Sequence, residues 1–335
     1  MSLSQNISVD VMGGDFGPRL CVPATLKFLQ YFPQYTVSMV GYRSQILPLI
    51  EHSSFKPRIS IVDAQQTVDM AERPGSAYRH KRQSSMWKAL ELLTEGQADA
   101  CISAGNTGAL MAMSRHLVGT IEGMSRPAIC KPMPTASGDC YLLDMGANLN
   151  CSPEQLLQFA IMGSALAKVN GCLSPKVALM NIGAETTKGN NDIRQTYNLM
   201  KEHSGIDFQG FIEGNQLYSG AVDVIVCDGF VGNVALKVSE GAASFILNSL
   251  KQEFTSSIFR KALGLINHYV LKRWRERFDP SKYNGAALLG LKKIVVKSHG
   301  GATTQGFYQA LVTATQQVNA HIPAQLEKCL SLNTA

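Results

Sequence analysis

The stretch Ala98-Asp-Ala-Cys-Ile-Ser-Ala-Gly-Asn-Thr-Gly-Ala-Leu110 decides how the chain is read. Ala100-Cys-Ile102 is a short apolar run of strand type, and Ser103 to Gly108 is a turn of small residues. A segment of helical period follows near Thr107–Gly119. The same order recurs three times. Asp10-Val-Met-Gly-Gly-Asp15 follows Ile7-Ser-Val9, and Asp144-Met-Gly-Ala-Asn148 follows Tyr141-Leu-Leu143. Cys227-Asp-Gly-Phe-Val-Gly-Asn233 follows Val222-Asp-Val-Ile-Val226. Three of the four turns lead at once into helical segments. Such units predict backbone N–H groups, helix N-termini and small polar side chains along one edge of a parallel sheet. That edge is where open α/β sheets take ligands, and helix N-termini there favour anions.

Outward from these units, strands and helices alternate almost throughout. Helices are expected at Pro18–Tyr31, Ser44–His52, from Ser84 or Ser85 to Glu95, Pro153–Val169, Asp192–His203, from Asn233 onward, and over Thr303–Lys328. Further strands are expected at Thr36–Val40, Ile59–Val62, Val177–Asn181, Phe208–Glu213 and Ile294–Lys297. Ala64–Gln83 reads as irregular. Ala128–Met133 and Cys140–Asp144, joined by Pro134-Thr-Ala-Ser-Gly138, carry a hairpin signal. The expected fold class is therefore α/β, a doubly wound and mostly parallel sheet with an antiparallel excursion. Residues 1–335 read as one catalytic domain, or as two lobes around one cleft. Boundaries near 120–135 or 275–290 carry no compositional mark, and no internal repeat is present.

The chain of 335 residues has an ordinary hydrophobic share of 45% and a formal charge of +6. It holds no run of 18 uncharged apolar residues, so no span is expected. With a strand expected within about six residues and no basic-apolar leader before it, no secretory signal is expected. None of the eight cysteines forms a CxxC pair, which points to reduced, buried thiols and a cytoplasmic compartment. No metal-ligand spacing is seen. The basic residues cluster at Arg73, Arg79, His80, Lys81 and Arg82 and again over 251–277. Neither cluster has the aromatic interleaving of a nucleic-acid groove.

Six ordered motifs resemble those of the bacterial phosphate acyltransferase family, PlsX. They are Val9-Asp-Val-Met-Gly-Gly-Asp15, the 98–110 stretch, Leu142-Leu-Asp-Met-Gly-Ala-Asn148, Gly183-Ala-Glu-Thr-Thr-Lys-Gly-Asn190, Asp228-Gly-Phe-Val-Gly-Asn233, and Gly290-Leu-Lys with Lys297-Ser-His-Gly300. Asn284-Gly285 stands where the family pattern has two glycines, and Gly301-Ala302 follows His299-Gly300 where small polar residues are commoner. The resemblance implies a reaction of acyl-[acyl carrier protein] with inorganic phosphate, giving acyl phosphate for phosphatidic acid and phospholipid synthesis. It also implies a fold akin to phosphotransacetylases and isocitrate-type dehydrogenases, a homodimer, peripheral membrane attachment, and no cofactor. A downstream acyl-phosphate:glycerol-3-phosphate acyltransferase is a further implied partner, and no nucleic acid is.

The residues suit that chemistry. Phosphate, with a second pKa in the region of ~6–7, is about half dianion at neutral pH and needs positioning more than deprotonation. The site must also stabilise an oxyanion and release a thiolate whose acid has a pKa of about 8.5. No Cys-His or Ser-His-Asp set is visible, so a direct transfer is expected. Gly105, Asn106, Thr107 and Gly108 are the candidates for one anion-binding turn. Asp228, Gly229, Gly232 and Asn233 are those for another. Asp10, Gly13, Gly14, Asp144 and Asn148 complete the substrate-binding set. Lys188, in a glycine-bounded loop, is the candidate counter-charge, and His299 the candidate donor to the leaving sulfur. Plainer readings stand beside these: the glycines as turn formers, Asp10 and Asp144 as caps, Lys188 as a solvated loop residue, and His299 as a structural hydrogen-bonder.

Arg79, Lys81 and Arg82 are the candidates for docking an acidic carrier protein. Residues 243–278 form an expected amphipathic helical segment that either touches an anionic membrane through Phe254, Ile258, Phe259, Leu263 and Ile266 or lies at a dimer interface. Two other activities remain open at this point. One is a phosphotransacetylase using a coenzyme A thioester; the other is a non-catalytic, membrane-docked module that binds acyl carrier protein. A dinucleotide dehydrogenase is disfavoured because no G-x-G-x-x-G opens the first strand–helix unit.

Overall fold

The computed structural model describes residues 5–332 except 258, 261–266, 268, 271 and 274–279. Its strands are β1 (Gln5–Asp10), β2 (Tyr35–Gly41), β3 (Ile59–Asp63), β4 (Ala100–Ser103), β5 (Ala128–Thr135), β6 (Gly138–Leu143), β7 (Lys176–Met180), β8 (Asp207–Ile212), β9 (Val224–Val226), β10 (Ala286–Leu289) and β11 (Ile294–Lys297). The helices are α1 (Pro18–Tyr31), α2 (Arg43–Ile50), α3 (Pro74–His80), α4 (Ser85–Thr94), α5 (Thr107–Leu117), α6 (Pro153–Val169), α7 (Asn191–Glu202), α8 (Gly229–Thr255), α9 (Thr304–Asn319) and α10 (Ile322–Leu332).

The aliphatic runs pair into one eleven-stranded sheet of order β3-β2-β1-β4-β11-β10-β5-β6-β9-β7-β8. It is mostly parallel, as expected. The antiparallel part comprises the pairings β11–β10, β10–β5 and β5–β6 at the centre. Three successive reversals turn the second half of the sheet over, against the expectation of one parallel edge. The strands β6, β9, β7 and β8 run opposite to β1–β4, so the four glycine turns do not lie on one edge of a parallel sheet. They nevertheless meet, because β10 and β11 are only four residues long. At about 3.3 Å per residue, the sheet is narrow where its halves join, and both sets of strand ends reach one seam.

Alternate residues of β4 show how helices cover both faces. Ala100 and Ile102 pack with Phe28 of α1 and Leu311 of α9, whereas Cys101 packs with Leu90 of α4. Side-chain caps set several helix starts. Ser84 accepts from Trp87, Asn106 from Ala109 and Asn190 from Ile193, and Ser152 forms a capping box with Gln155.

Three expectations need correction. The stretch 64–83 is not wholly irregular, because α3 forms within it with Pro74 at its first turn and its face packed on α5. The C-terminal helix is two helices, broken where His321 takes a φ of 48°. The central strand β10 was not anticipated at all. Its sequence, Ala-Ala-Leu-Leu, lacks β-branched residues. Gly285 (φ 102°) and Gly290 (φ 88°) bracket it, and β11 and β5 supply its hydrogen bonds from both sides.

The long helix α8 stands away from the rest. Only its Gly229 and Gly232 are buried. By length and composition it is apolar enough to cross a membrane, with 6% of its apolar window buried. Phe245 and Ile246 are exposed, and so are Val231, Val234 and Val238 upstream of the segment expected to be amphipathic. Phe254 is half-buried and Phe259 is exposed. Ile258, Leu263 and Ile266 lie outside the described residues.

Candidate functional site

A cavity of about 580 Å³ opens at the seam between the two halves. The first half contributes Asp15, Thr107 and the turn after β11 from Lys297 to Thr303. The second contributes Ile129 and Lys131 of β5, Met145 and Gly146 after β6, and Asn233, Leu236, Lys237 and Glu240 of α8. All four glycine-turn segments therefore send at least one residue to a single hollow.

The sheet register orders its floor. Asp10 pairs with Ser103, Ser103 with Lys297, and Lys297 with Ala286. Ala287 pairs with Cys130, which sets Lys131 beside Ala286. Laterally paired residues share a sheet face. Asp10, Ser103, Lys297, Ala286 and Lys131 thus form one row across five strands. Ser103 Oγ donates to Asp10 Oδ2 at 2.6 Å. Lys297 Nζ donates to the carbonyls of Ala104 (3.2 Å) and Ser298. Lys131 is only 8% exposed, yet among the described residues its ammonium makes no hydrogen bond or ion pair. Burial pulls Lys297 down to about 8, against the pull of the Asp10 carboxylate. Burial likewise lowers Lys131, against the attraction of Glu240.

The rim is polar. The backbone N–H of His299 donates to Asn284 Oδ1 at 2.9 Å, and Asn284 Nδ2 donates to Ser298 Oγ at 2.8 Å. The Gly301 amide donates to His299 Nδ1 at 3.2 Å, which leaves Nε2 for the cavity side. There Nε2 lies 2.8 Å from Lys237 Nζ, which also pairs with Glu240 at 3.0 Å. Burial first, then the Lys237 charge, lowers the pKa of His299.

A family profile described as "Fatty acid synthesis protein" matches residues 5–325. The curated relatives carry a more specific name. A phosphate acyltransferase of Teredinibacter turnerae is 53% identical over 98% of this chain and 100% of its own length. That of Saccharophagus degradans is 51% identical over 99% of this chain and 97% of its own. The chain belongs to the phosphate acyltransferase family. It is an enzyme of acyl transfer, as that family is. Among solved structures, a phosphotransacetylase from Streptococcus pyogenes superposes with a TM-score of 0.64, 16% identity and 95% of each chain covered. The EutD phosphotransacetylase from Staphylococcus aureus gives 0.61 over 93% of this chain and 94% of its own, at 16% identity. At such identities these likenesses speak for the fold.

Within this phosphate acyltransferase fold, the candidate residues fall into three groups. Thr107, Asn233 and His299 line the cavity. A second group lies behind the cavity wall and is engaged in holding the turns. Asn106 caps α5 and gives its amide to the carbonyls of Asp69, Met70 and Glu72. Asp144 accepts from the amides of Ile129, Ala147 and Asn148 and from Asn148 Nδ2. Asp228 caps α8 and accepts from Cys151 N at 2.8 Å. Gly13, Gly229 and Gly232 sit where a Cβ would meet another backbone; at Gly105 it would meet the Met86 side chain, and at Gly108 Pro74. Gly14 takes φ 85° against the Gly300 carbonyl. Asp10 and Asn148 are buried.

The third group lies elsewhere. Lys188 is exposed in the loop after β7 and does not reach the cavity lining. That loop ends a strand of the far half, two places beyond β6. Arg79 and Arg82 are exposed on and beyond α3, with Arg82 5.6 Å above the Trp87 ring, and Lys81 is half-buried.

Among the described residues, the lysines of the cavity are instead Lys131, Lys237 and Lys297. Lys131 had a signal in the sequence: it is the one charged residue inside the apolar run Ala-Ile-Cys-Lys-Pro-Met. Lys297 carries only a strand-end signal in the sequence, as the last residue of Ile-Val-Val-Lys.

Proposed function

We propose that this enzyme moves a fatty acyl group from the thioester of acyl carrier protein to inorganic phosphate, releasing acyl phosphate and free carrier protein. One observation carries the reading: a single open cavity places three lysines beside an apolar wall of Met70, Ile129, Met145 and Leu236. The cations suit a phosphate dianion, and the wall suits the start of an acyl chain. A phosphate oxygen attacks the thioester carbonyl carbon, giving a tetrahedral oxyanion. The C–S bond then breaks as the carbonyl reforms, and the thiolate takes a proton from solvent or from the His299–Lys237 pair. Asn233 and Thr107, both in the cavity lining, would bond the oxyanion. None of the eight cysteines lines the cavity, which favours direct transfer over an acyl-enzyme.

The test is to incubate the protein with palmitoyl-carrier protein, with and without phosphate, and to follow acyl phosphate by mass spectrometry. Phosphate-dependent product is expected, with palmitoyl-coenzyme A a poorer donor. Equal use of coenzyme A would favour the phosphotransacetylase reading, and release of no product would leave only a binding module. A trapped acyl-enzyme would overturn the direct route.

The exposed arginines around α3 start three residues after Met70 of the cavity wall, which supports docking of the acidic carrier there. The exposed apolar residues of α8 and Phe259 support peripheral contact of a cytoplasmic enzyme with an anionic membrane, where a downstream acyltransferase would take the product, or contact with a second subunit. Phe259→Glu is expected to reduce co-flotation with anionic vesicles while sparing turnover of soluble acyl carrier. Unchanged flotation would rule out membrane contact through Phe259.

A further inference from the structure

We propose that Lys131 and Lys297 clamp the attacking phosphate between them, over the small side chain of Ala286. The inference rests on the acyl-to-phosphate reading above and assigns that anion a place in the cavity. The register puts the two lysines on either side of Ala286 and on one face of the sheet. Two strand spacings separate their backbones, about 10 Å. Ala286, also in the cavity lining, leaves the gap between them open. Contacts of about 2.8 Å from each ammonium to an anion fit that gap.

The charges call for such a guest. Both lysines are 8% exposed. Lys297 spends its donors on two carbonyls, and Lys131 has no partner among the described residues. A buried ammonium without a contacting anion is costly. Of the carboxylates in reach, Glu240 is held by Lys237 and Asp10 by Ser103, while Asp15 of the cavity lining attracts Lys297 less than Asp10 does. Two ammonium groups with N–H donors to spare match the two charges of a phosphate dianion. The arrangement also selects by size, because any side chain larger than alanine at 286 enters the anion's place. Phosphate could in principle reach the site from two sources, as the free ion or as the phosphodiester of the carrier's prosthetic group. The depth of the row favours the free ion.

The experiment uses the full chain, with Lys131→Met, Lys297→Met and Ala286→Val. Each variant is expected to raise the phosphate KM by about 10-fold or more, with the KM for acyl-carrier protein changed by less than about 2-fold. Titration calorimetry with inorganic phosphate alone should show the same weakening in the absence of any acyl donor. Lys131→Met should leave the thermal midpoint equal to or above that of the parent, since it removes an unpaired buried charge. If KM for the acyl donor rises instead, the lysines hold the phosphodiester and the clamp is refuted. If phosphate binding is unchanged in all three variants, the clamp is refuted whatever the activity. If the parent binds phosphate and the variants do not, yet no acyl phosphate forms, the clamp stands and the acyl-transfer reading fails.

Discussion

Asp10, at the end of β1, and Asp144, just after β6, occupy equivalent posts in the two halves of the sheet. Each carboxylate packs against the glycine turn of the neighbouring parallel strand, Gly105 after β4 in one half and Gly229 after β9 in the other. The surroundings differ. Asp144 is surrounded by four N–H donors and is fully engaged. Asp10 takes the Ser103 hydroxyl on one oxygen, and its Oδ1 has no partner. Its row continues through Ser103 to Lys297, whereas Asp144 lies past the end of β6, where its oxygens turn to backbone amides. The same device thus closes a scaffold in one half and feeds charge toward the cavity in the other. What differs is what surrounds each carboxylate: N–H donors fill the oxygens of Asp144, whereas Asp10 keeps one unpartnered oxygen in the row that runs to Lys297.

The largest effect is expected from breaking the close approach in the closed half. A Cβ at Gly232 would stand 1.9 Å from the Asp144 carbonyl oxygen, while one at Gly13 would stand 2.6 Å from the Gly105 amide. Gly232→Ala should therefore cost about 3–5 kcal/mol and Gly13→Ala about 1–3 kcal/mol in urea denaturation. Equal costs would show that the two turns are equally tight.

A second test uses pH. Burial raises Asp144 to about 6 from 3.8, although the surrounding N–H donors pull the other way. The unfolded chain loses this proton near pH 4, and the folded one keeps it to about pH 6. The folded state therefore binds more protons in that window, and stability from this group falls as pH rises from about 4 to about 6. The loss integrates to about 3 kcal/mol. Asp144→Asn should remove that slope relative to the parent. Parallel curves would mean that Asp144 titrates normally.

The smallest effect is expected in the open half. Ser103→Ala removes the donor to Asp10 and the acceptor of the Gly105 amide, 3.0 Å away, and should cost about 1–2 kcal/mol in thermal melts. A neutral result would mean that water replaces the hydroxyl without loss.

Local chemistry explains why so much of the fold was legible. The run Ile294–Lys297 is three β-branched residues and a lysine, and β11 has those bounds. Ser152-Pro153 with Gln155 writes a capping box ahead of α6, and the helix begins there. Where only tertiary contact decides, the reading failed. Ala-Ala-Leu-Leu becomes β10 because two strands flank it, and a seven-residue helix such as α3 exists by packing on α5. The site divides along the same line. Thr107, Asn233 and His299 were visible as polar residues after strands. Lys131 and Lys297 were not visible as a pair, since 166 positions separate them in the chain.

By itself the sequence determined the alternation of strands and helices, the four glycine turns and the family, because each rests on spacing over a few residues or on motifs in order. The tertiary structure alone decided that the sheet reverses at its centre, that Lys188 stands outside the cavity, and that Lys131 and Lys297 take register positions on either side of Ala286 in one cavity. Those outcomes depend on which strands become neighbours and in what register, and strand pairing is a long-range choice that no local run of residues records.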